Sequence, residues 1–210
     1  MSRTITIGRQ FGSGGREIGE KLAKKLNVQY YDKKLLEMAA KKSGLCEEII
    51  GKYDETGMNS LLYSLAMNPL GGLQGNTGVK PIGVKAQMAV KKQIQELAEA
   101  EPAVFVGRCA DSILCGKEDV VNVFISAKME DRIHRVMQRH NVLRDEAVSL
   151  IAKTDKARAS YYNYYTEQKW GDAKNYHICL DSSWFGIEGT VEILYQILSS
   201  SKGGCCKDEG

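Results

Sequence analysis

A glycine-rich segment near the N-terminus, GRQFGSGGREIG at residues 8–19, constrains the fold of this chain more than any other stretch. It follows a short β-branched run at residues 4–7, which predicts a buried strand closed by Gly8. Ile18, Leu22 and Leu26 then recur at the spacing of a helix face. A strand, a glycine loop and a helix in this order favour phosphate binding, because glycines leave backbone N–H groups open at the positive end of the helix.

The loop departs from the usual phosphate-binding pattern G-x-x-x-x-G-K-[ST], in which a lysine reaches the β and γ phosphates. One register places Gly15 at the lysine position, and the other places Arg16 there and Glu17 where the hydroxyl belongs. Arg16 could supply the positive charge, with a planar fork in place of a point contact. The alternative is a tight strand-to-helix turn without a ligand. The residues expected to contact phosphate are Gly12, Ser13, Gly14, Gly15, Arg16 and Glu17.

Short apolar segments alternate with helical patterns along the rest of the chain. Further strands are predicted at residues 28–31, 103–107, 120–125 and 176–180. Helices are predicted at 33–42, around 90–98, from 129, at 144–153, at 155–168 and around 187–198, with Met129, Ile133, Val136 and Met137 on one apolar face. Residues 68–81 are expected to form a mobile loop. This alternation is typical of an α/β fold with a parallel sheet, whose ligands bind at the carboxyl ends of the strands.

Composition limits the classes of function. The chain has 210 residues, of which 43% are hydrophobic, enough to bury a full core. Its 29 basic and 26 acidic residues are mixed, and no apolar segment approaches the roughly 18 residues of a membrane span, so we expect neither a nucleic-acid nor a membrane surface. Six scattered cysteines without metal-ligand spacing predict reduced thiols, no metal-ligating cluster and a cytoplasmic location. Assembly into a homo-oligomer is left open.

Three separated motifs resemble the cytidylate kinase-like family of nucleoside monophosphate kinases. They are residues 8–19, VFVGR at 104–108 and ISAKMEDRIHRVMQR at 125–139, and the similarity extends through YYDKKLL at 30–36, TDKARASYYNYYTEQKW at 154–170 and HICLDSSWFGIEGTVEIL at 177–194. The resemblance implies one domain over residues 1–199, a three-layer P-loop kinase fold with a parallel five-stranded sheet. An acceptor-binding segment would cover about 33–100, a lid about 138–170 and a flexible tail 200–210. It also implies ATP and Mg²⁺ as cofactors and a small acceptor, a nucleoside monophosphate first.

Arginines are the catalytic residues that this resemblance implies, because phosphoryl transfer needs positive charge around the transferring group. Arg108 matches an arginine that faces the acceptor phosphate, with a structural ion pair as the alternative. Arg132 and Arg135 match two arginines that approach ATP near the lid, although they could equally form a solvated charged face with Arg139. Arg16 and Arg158 complete the expected catalytic set.

Asp32 matches an aspartate near the reacting phosphates, where it would bind the acceptor or a Mg²⁺-bound water. A simple helix N-cap explains this residue equally well. Asp155 shares a helix face with Arg158 in the lid segment and is expected on the substrate side. Four nearby tyrosines are interpreted as packing or interface residues, with base stacking as the alternative: Tyr161, Tyr162, Tyr164 and Tyr165.

Several departures from the family pattern fall on residues that would recognise the acceptor. Lys33 and Lys34 replace a serine-glycine pair, Met38 replaces a CMP-binding arginine, and Cys109 replaces an aspartate. Recognition through hydrogen bonds to a base is lost when the partner groups are lost. Three hypotheses therefore stand: an ATP-dependent phosphotransferase, a nucleotide-binding regulatory protein without turnover, and a kinase of a non-nucleotide small molecule.

Overall fold

The computed structural model describes residues 3–47 and 82–200, so the glycine-rich loop expected at 68–81 and most of the expected tail lie outside the described residues. The strands are β1 (Thr4–Arg9), β2 (Gln29–Tyr31), β3 (Ala103–Val106), β4 (Val120–Ser126) and β5 (Ile178–Asp181). The helices are α1 (Gly15–Leu26), α2 (Lys34–Ser43), α3 (Ile82–Ala100), α4 (Ala110–Ile113), α5 (Met129–His140), α6 (Arg144–Thr166) and α7 (Ser182–Ser200).

The five strands form one sheet in the order β2-β3-β1-β4-β5, and every neighbouring pair is parallel. At the centre of the sheet, Ile5 pairs with Val104 on one side and with Val121 on the other. Because all the strands run the same way, their carboxyl ends meet at one edge. The parallel α/β sheet predicted from the sequence is therefore confirmed.

Helices cover both faces of the sheet, since successive strand residues point to opposite sides. In β3, Phe105 faces a core formed with α2, α3 and α4, while Val104 and Val106 face a core formed with α1 and α7. Phe105 is 1% exposed and stacks on Tyr31 with ring centroids 5.2 Å apart. These two apolar layers fix the three-layer architecture and bring α1 and α7 together behind the glycine loop.

A third, smaller core joins α5 and α6 above the carboxyl edge of the sheet. Ile133 and Val136 of α5 pack there on Ala147 and Ile151 of α6, and Phe11 of the glycine loop contacts the same cluster. The loop is therefore packed against this helical pair as well as against the sheet.

Two details of the sequence-based prediction are wrong. The helices expected at 144–153 and 155–168 are one continuous helix, α6, in whose interior Asp155 lies. Met129 was expected on the apolar face of α5 but is 48% exposed, since it begins the helix outside the contact with α6. Among the described residues, the helices are all too short or too polar to cross a lipid bilayer.

Candidate active site

The glycine loop between β1 and α1 has a backbone shape that requires its glycines. Gly12 and Gly14 have φ angles of 79° and 80°, in the left-handed region that side chains disfavour. A Cβ atom on Gly12 would lie 2.9 Å from the carbonyl oxygen of Arg132, and one on Gly14 would lie 2.2 Å from Cδ1 of Ile187. The loop is thus pressed between α5 and α7, with no room for side chains.

Ser13 ties the loop together from inside. Its side chain is fully buried, and its hydroxyl donates to the carbonyl oxygen of Gln10 at 2.8 Å. The hydroxyl of Ser182, at the start of α7, donates to the carbonyl oxygen of Ser13 at 2.6 Å. The hydroxyl of Ser13 therefore stabilises the turn, and contact of Ser13 with a phosphate stays a prediction.

The backbone amides at the end of the loop face the start of α1. Within residues 3–47 and 82–200, the N–H groups of Gly12, Gly14, Arg16 and Glu17 donate no hydrogen bond. Such amides, together with the positive end of the helix dipole, form an anion-binding cradle. The side chain of Glu17 lies outside it, in an ion pair with Lys21 at 2.9 Å along the surface of α1.

Three of the arginines expected to be catalytic hold carbonyl oxygens of the loop or of β1. Nε of Arg132 donates to the carbonyl of Phe11 at 2.7 Å, and Nη1 of Arg135 donates to that of Gly12 at 3.1 Å. Nη1 of Arg158 donates to the carbonyl of Arg9 at 3.2 Å. Each guanidinium therefore holds one backbone carbonyl, two in the loop and one at the last residue of β1. We call these three side chains the arginine clamp.

Asp155 anchors the clamp. Its Oδ1 accepts the backbone N–H of Phe11 at 2.8 Å, and its Oδ2 forms an ion pair with Nη2 of Arg132. Arg158 lies over the Phe11 ring, 5.6 Å from its centroid. Side chains of α5 and α6 therefore contact the amide, the carbonyl and the ring of Phe11. Arg139, the third arginine of the predicted α5 face, is exposed and stands apart from this arrangement.

A second constellation joins the loop to the end of β2. Asp32 is 6% exposed and lies between two arginines: Arg16, with Nε 2.9 Å from Oδ2, and Arg108, with Nη1 2.5 Å from Oδ1. Arg108 is buried and also donates to the carbonyl of Val106, whereas the side chain of Arg16 is 49% exposed. Asp32 forms no side-chain cap of α2, whose N-cap is Lys33. The simple N-cap interpretation is therefore wrong.

A pocket opens between this constellation and α6. It is a depression of about 280 Å³, counted together with its solvent-open space, at the carboxyl ends of β1 and β3. The described residues that line it are Gly8, Arg9, Gly107, Arg108, Cys109, Asp111, Arg158, Tyr161, Tyr162, Trp170 and Tyr176. The pocket combines guanidinium groups, one carboxylate, phenols and an indole, so it suits a polar anionic ligand with a flat or apolar part.

The polar wall of the pocket was missed by the sequence reasoning. The hydroxyl of Tyr162 donates to Oδ2 of Asp111 at 2.6 Å, and burial raises the pKa of that carboxyl above its ordinary value. Burial also raises the pKa values of Tyr162 and Tyr176, so both phenols keep their protons. The one available signal was position: Asp111 follows the Gly107-Arg108 pair closely, and Tyr176 precedes β5.

The tyrosines of the lid segment divide into two groups. Tyr161 and Tyr162 are 2% and 5% exposed and pack with Cys109 and Trp170, whereas Tyr164 is 44% exposed. The buried pair packs in a small core and also forms a wall of the pocket, while contact with a base stays a prediction.

No group of three or more metal-ligating side chains occurs in the described part of the chain. Mg²⁺ in kinases is held mainly by phosphate oxygens and water, with one or two carboxylates. Asp32 is the carboxylate at the junction of the glycine loop and the pocket, and two arginines already neutralise it. These residues fit a Mg²⁺ ion that is bound through the donor phosphates and contacts the protein through water.

Comparison with known proteins agrees with this geometry. The model of the cytidylate kinase-like family matches residues 4–184, which includes the loop, the clamp and the pocket. A search of curated proteins finds no match.

Solved structures show the same fold. An uncharacterized protein from Eubacterium ventriosum is 28% identical, with a TM-score of 0.71 over 94% of this chain and 99% of its own. A shikimate kinase from Acinetobacter baumannii, solved with shikimate, has a TM-score of 0.54 at 14% identity over 97% of both chains. A shikimate kinase from Bacteroides thetaiotaomicron has a TM-score of 0.51 at 16% identity over 95% of this chain and 99% of its own. The fold is that of the P-loop kinases.

Proposed function

Because the chain belongs to the cytidylate kinase-like family, we propose that it is an ATP-dependent phosphotransferase that transfers the γ-phosphate of ATP to a small phosphate acceptor, with a nucleoside monophosphate as the first expectation. The observation that carries this proposal is the arginine clamp. Arg132, Arg135 and Arg158 hold two carbonyls of the loop and one of β1, and a loop without the usual lysine still presents N–H groups to a phosphate.

The donor phosphates would lie on the amides of Gly12, Gly14, Gly15, Arg16 and Glu17 at the start of α1. Backbone amides that are fixed before binding stabilise phosphate charge without reorganisation. Bound Mg²⁺ would neutralise charge on the donor phosphates, with Asp32 oriented toward its water ligands.

Arg16 is the side chain that would take the place of the missing lysine. Its guanidinium is half exposed and lies 2.9 Å from Asp32, between the loop and the pocket. From this position it can contact the transferring group, whereas Arg132, Arg135 and Arg158 each donate at least one hydrogen bond to the backbone of the loop or of β1. The clamp residues would therefore act chiefly by positioning the loop, and Arg16 and Arg108 by direct contact with donor and acceptor.

The acceptor would occupy the pocket beside Arg108, with Asp32 orienting that arginine. α6 supplies both the clamp residues Asp155 and Arg158 and the pocket wall Tyr161 and Tyr162. We propose that α6 belongs to a lid over residues 138–170, within a single domain. Closure of such a lid would exclude water from the transferring phosphate.

A coupled assay of ADP release tests the proposal. The protein with Mg²⁺ and ATP is screened against CMP, dCMP, UMP, AMP, GMP and small hydroxy acids, and we expect at least one to stimulate ADP release well above the ATPase background. The control is Arg108→Lys, which keeps the charge but loses the planar fork and should lower turnover with the same acceptor.

A nucleotide-binding protein without turnover is the second candidate. The loop lacks its lysine, and three of the expected catalytic arginines are engaged by the backbone. ATP binding without stimulation by any acceptor would support this alternative and contradict the kinase. Stimulation by a hydroxy acid alone would identify a kinase of a non-nucleotide small molecule.

A further inference from the structure

The hydroxyl of Tyr176 is a polar group that the proposed function does not use. Tyr176 is 8% exposed, and no described residue accepts a hydrogen bond from its hydroxyl. It lies at the end of β1, where a Cβ atom on Gly8 would be only 3.2 Å from it. Buried hydroxyls nearly always have a partner, because an unsatisfied one is costly. This side chain also lines the pocket, which makes a bound ligand the natural partner.

The neighbours of Tyr176 leave its proton available. Asp111 accepts a hydrogen bond from the hydroxyl of Tyr162 at 2.6 Å and none from Tyr176. Burial raises the pKa of Tyr176, with a smaller contribution from the charge of Asp111. The phenol therefore remains protonated at neutral pH, and what it can offer to a ligand is an O–H donor.

The groups that share the pocket with this donor select an anion. Arg9, Arg108 and Arg158 line the same space and are 7%, 3% and 8% exposed. Against them the described lining provides one carboxylate, Asp111. Guanidinium groups pair with phosphoryl oxygens through charge-assisted hydrogen bonds, so this lining suits a phosphate group.

We propose that the Tyr176 hydroxyl donates a hydrogen bond to a phosphoryl oxygen of the bound acceptor, beside Arg9, Arg108 and Arg158. Tyr176 is then a specificity-determining residue that favours phosphomonoesters over uncharged hydroxyl acceptors. The inference rests on the proposed function because it identifies the bound phosphomonoester as the acceptor. Binding of a phosphoryl group at this site requires no turnover.

Tryptophan fluorescence allows a direct test. The chain has two tryptophans, Trp170 in the pocket and the exposed Trp184, so Trp184→Phe leaves a single reporter in the pocket. The variant is titrated with inorganic phosphate while saturating ADP occupies the glycine loop. We expect a change in Trp170 fluorescence, and about 10-fold weaker phosphate binding after Tyr176→Phe, which removes only the hydroxyl.

The matched control is Tyr195→Phe. It removes the hydroxyl of a tyrosine of α7, which packs on the opposite side of the sheet. This control should bind phosphate like the parent. ADP affinity and the thermal midpoint of each variant are measured to show that the loop and the fold are intact.

Equal phosphate binding by the parent and Tyr176→Phe overturns the inference, as does the lack of any Trp170 response to phosphate. Neither result affects the kinase proposal, which is tested by ADP release. Phosphate binding that depends on Tyr176, combined with no transfer to any acceptor, would leave the anion site standing and overturn the proposed function alone.

Discussion

The Nη1 atom of Arg108 lies 2.5 Å from Oδ1 of Asp32, and both side chains are buried at the carboxyl edge of the sheet. This ion pair links the end of β2 to the loop after β3. Arg16 binds the other oxygen of Asp32 from the glycine loop, so one carboxylate joins three segments that are distant in sequence. The proposed donor and acceptor subsites are thereby coupled through a single side chain.

Asp32→Asn tests this coupling. This change removes the buried carboxylate charge that pairs with Arg108, and we expect the free energy of unfolding to fall by about 3 kcal/mol. Urea denaturation at pH 7 measures this change. Glu192→Gln removes the exposed ion pair with Lys25 and should leave the urea midpoint almost unchanged. Equal midpoints for the two variants would show that Asp32 has no structural role.

Arg135→Lys tests the arginine clamp. Lysine keeps the charge but cannot reproduce the arginine geometry that reaches the Gly12 carbonyl, so we expect ATP affinity to fall by about 10-fold. Fluorescent ATP analogues measure the affinity. Arg139→Lys, on the exposed side of the same helix, is the control and should bind like the parent. An unchanged affinity for Arg135→Lys would mean that the carbonyl contact does not shape the cradle.

Gly14→Ala tests the crowding of the loop. The new methyl group would meet Cδ1 of Ile187 at 2.2 Å, in addition to the cost of a left-handed alanine. We expect a loss of stability greater than the roughly 1 kcal/mol of backbone strain alone. Gly44 has a φ of 70°, and a Cβ atom added there would have no atom of the described residues within 4 Å. Gly44→Ala therefore isolates the cost of the left-handed backbone.

Thermal unfolding compares these two alanine variants. Adding Ile187→Ala to Gly14→Ala should recover part of the ATP affinity, because the obstructing side chain is gone. If Gly14→Ala and Gly44→Ala are destabilised equally, contact with α7 does not restrict the loop.

Arg16→Ala tests the replacement of the missing lysine. If Arg16 contacts the transferring phosphate, kcat with the best acceptor should fall by about a thousandfold. Stability should change little, because half of the side chain is exposed. Lys21→Ala, one turn further along α1, is the control for lost charge. Unchanged turnover and ATP affinity in Arg16→Ala would refute this role.

The buried carboxyl of Asp111 predicts a pH dependence of stability. Burial raises its pKa above the ordinary value of 3.8, so the unfolded state loses its proton first as the pH rises. This contribution to stability is complete below 3.8 and is lost between 3.8 and the raised pKa. Asp111→Asn keeps an oxygen for Tyr162 but does not ionise. Its stability relative to the parent should therefore increase from pH 3 to pH 7, as measured by urea denaturation, and a constant difference would contradict the shift.

Local sequence was sufficient to predict the parallel sheet and the loop at which a phosphate is expected. Residues 4–7 (TITI) and 103–106 (AVFV) are short strand-forming runs, and burial of such runs on both faces is typical of a parallel sheet covered by helices. The glycines before α1 predicted the loop, because their left-handed conformations disfavour side chains. The arginines were recognised through resemblance to the family, which gives residue types and positions but not contacts.

The direction of each side chain was decided by tertiary packing. Arg132 and Arg135 bind the loop backbone, where the small core around Phe11 packs α5 against the loop, and their approach to ATP stays a prediction. Tyr176 has no motif around it and becomes part of a pocket only because β5 pairs with β4. The sequence alone determined the parallel α/β fold and the phosphate loop, since short-range periodicity and glycine conformation are local properties. Only the tertiary structure decided which charges meet, since ion pairs such as Asp32 with Arg108 join residues far apart in the chain.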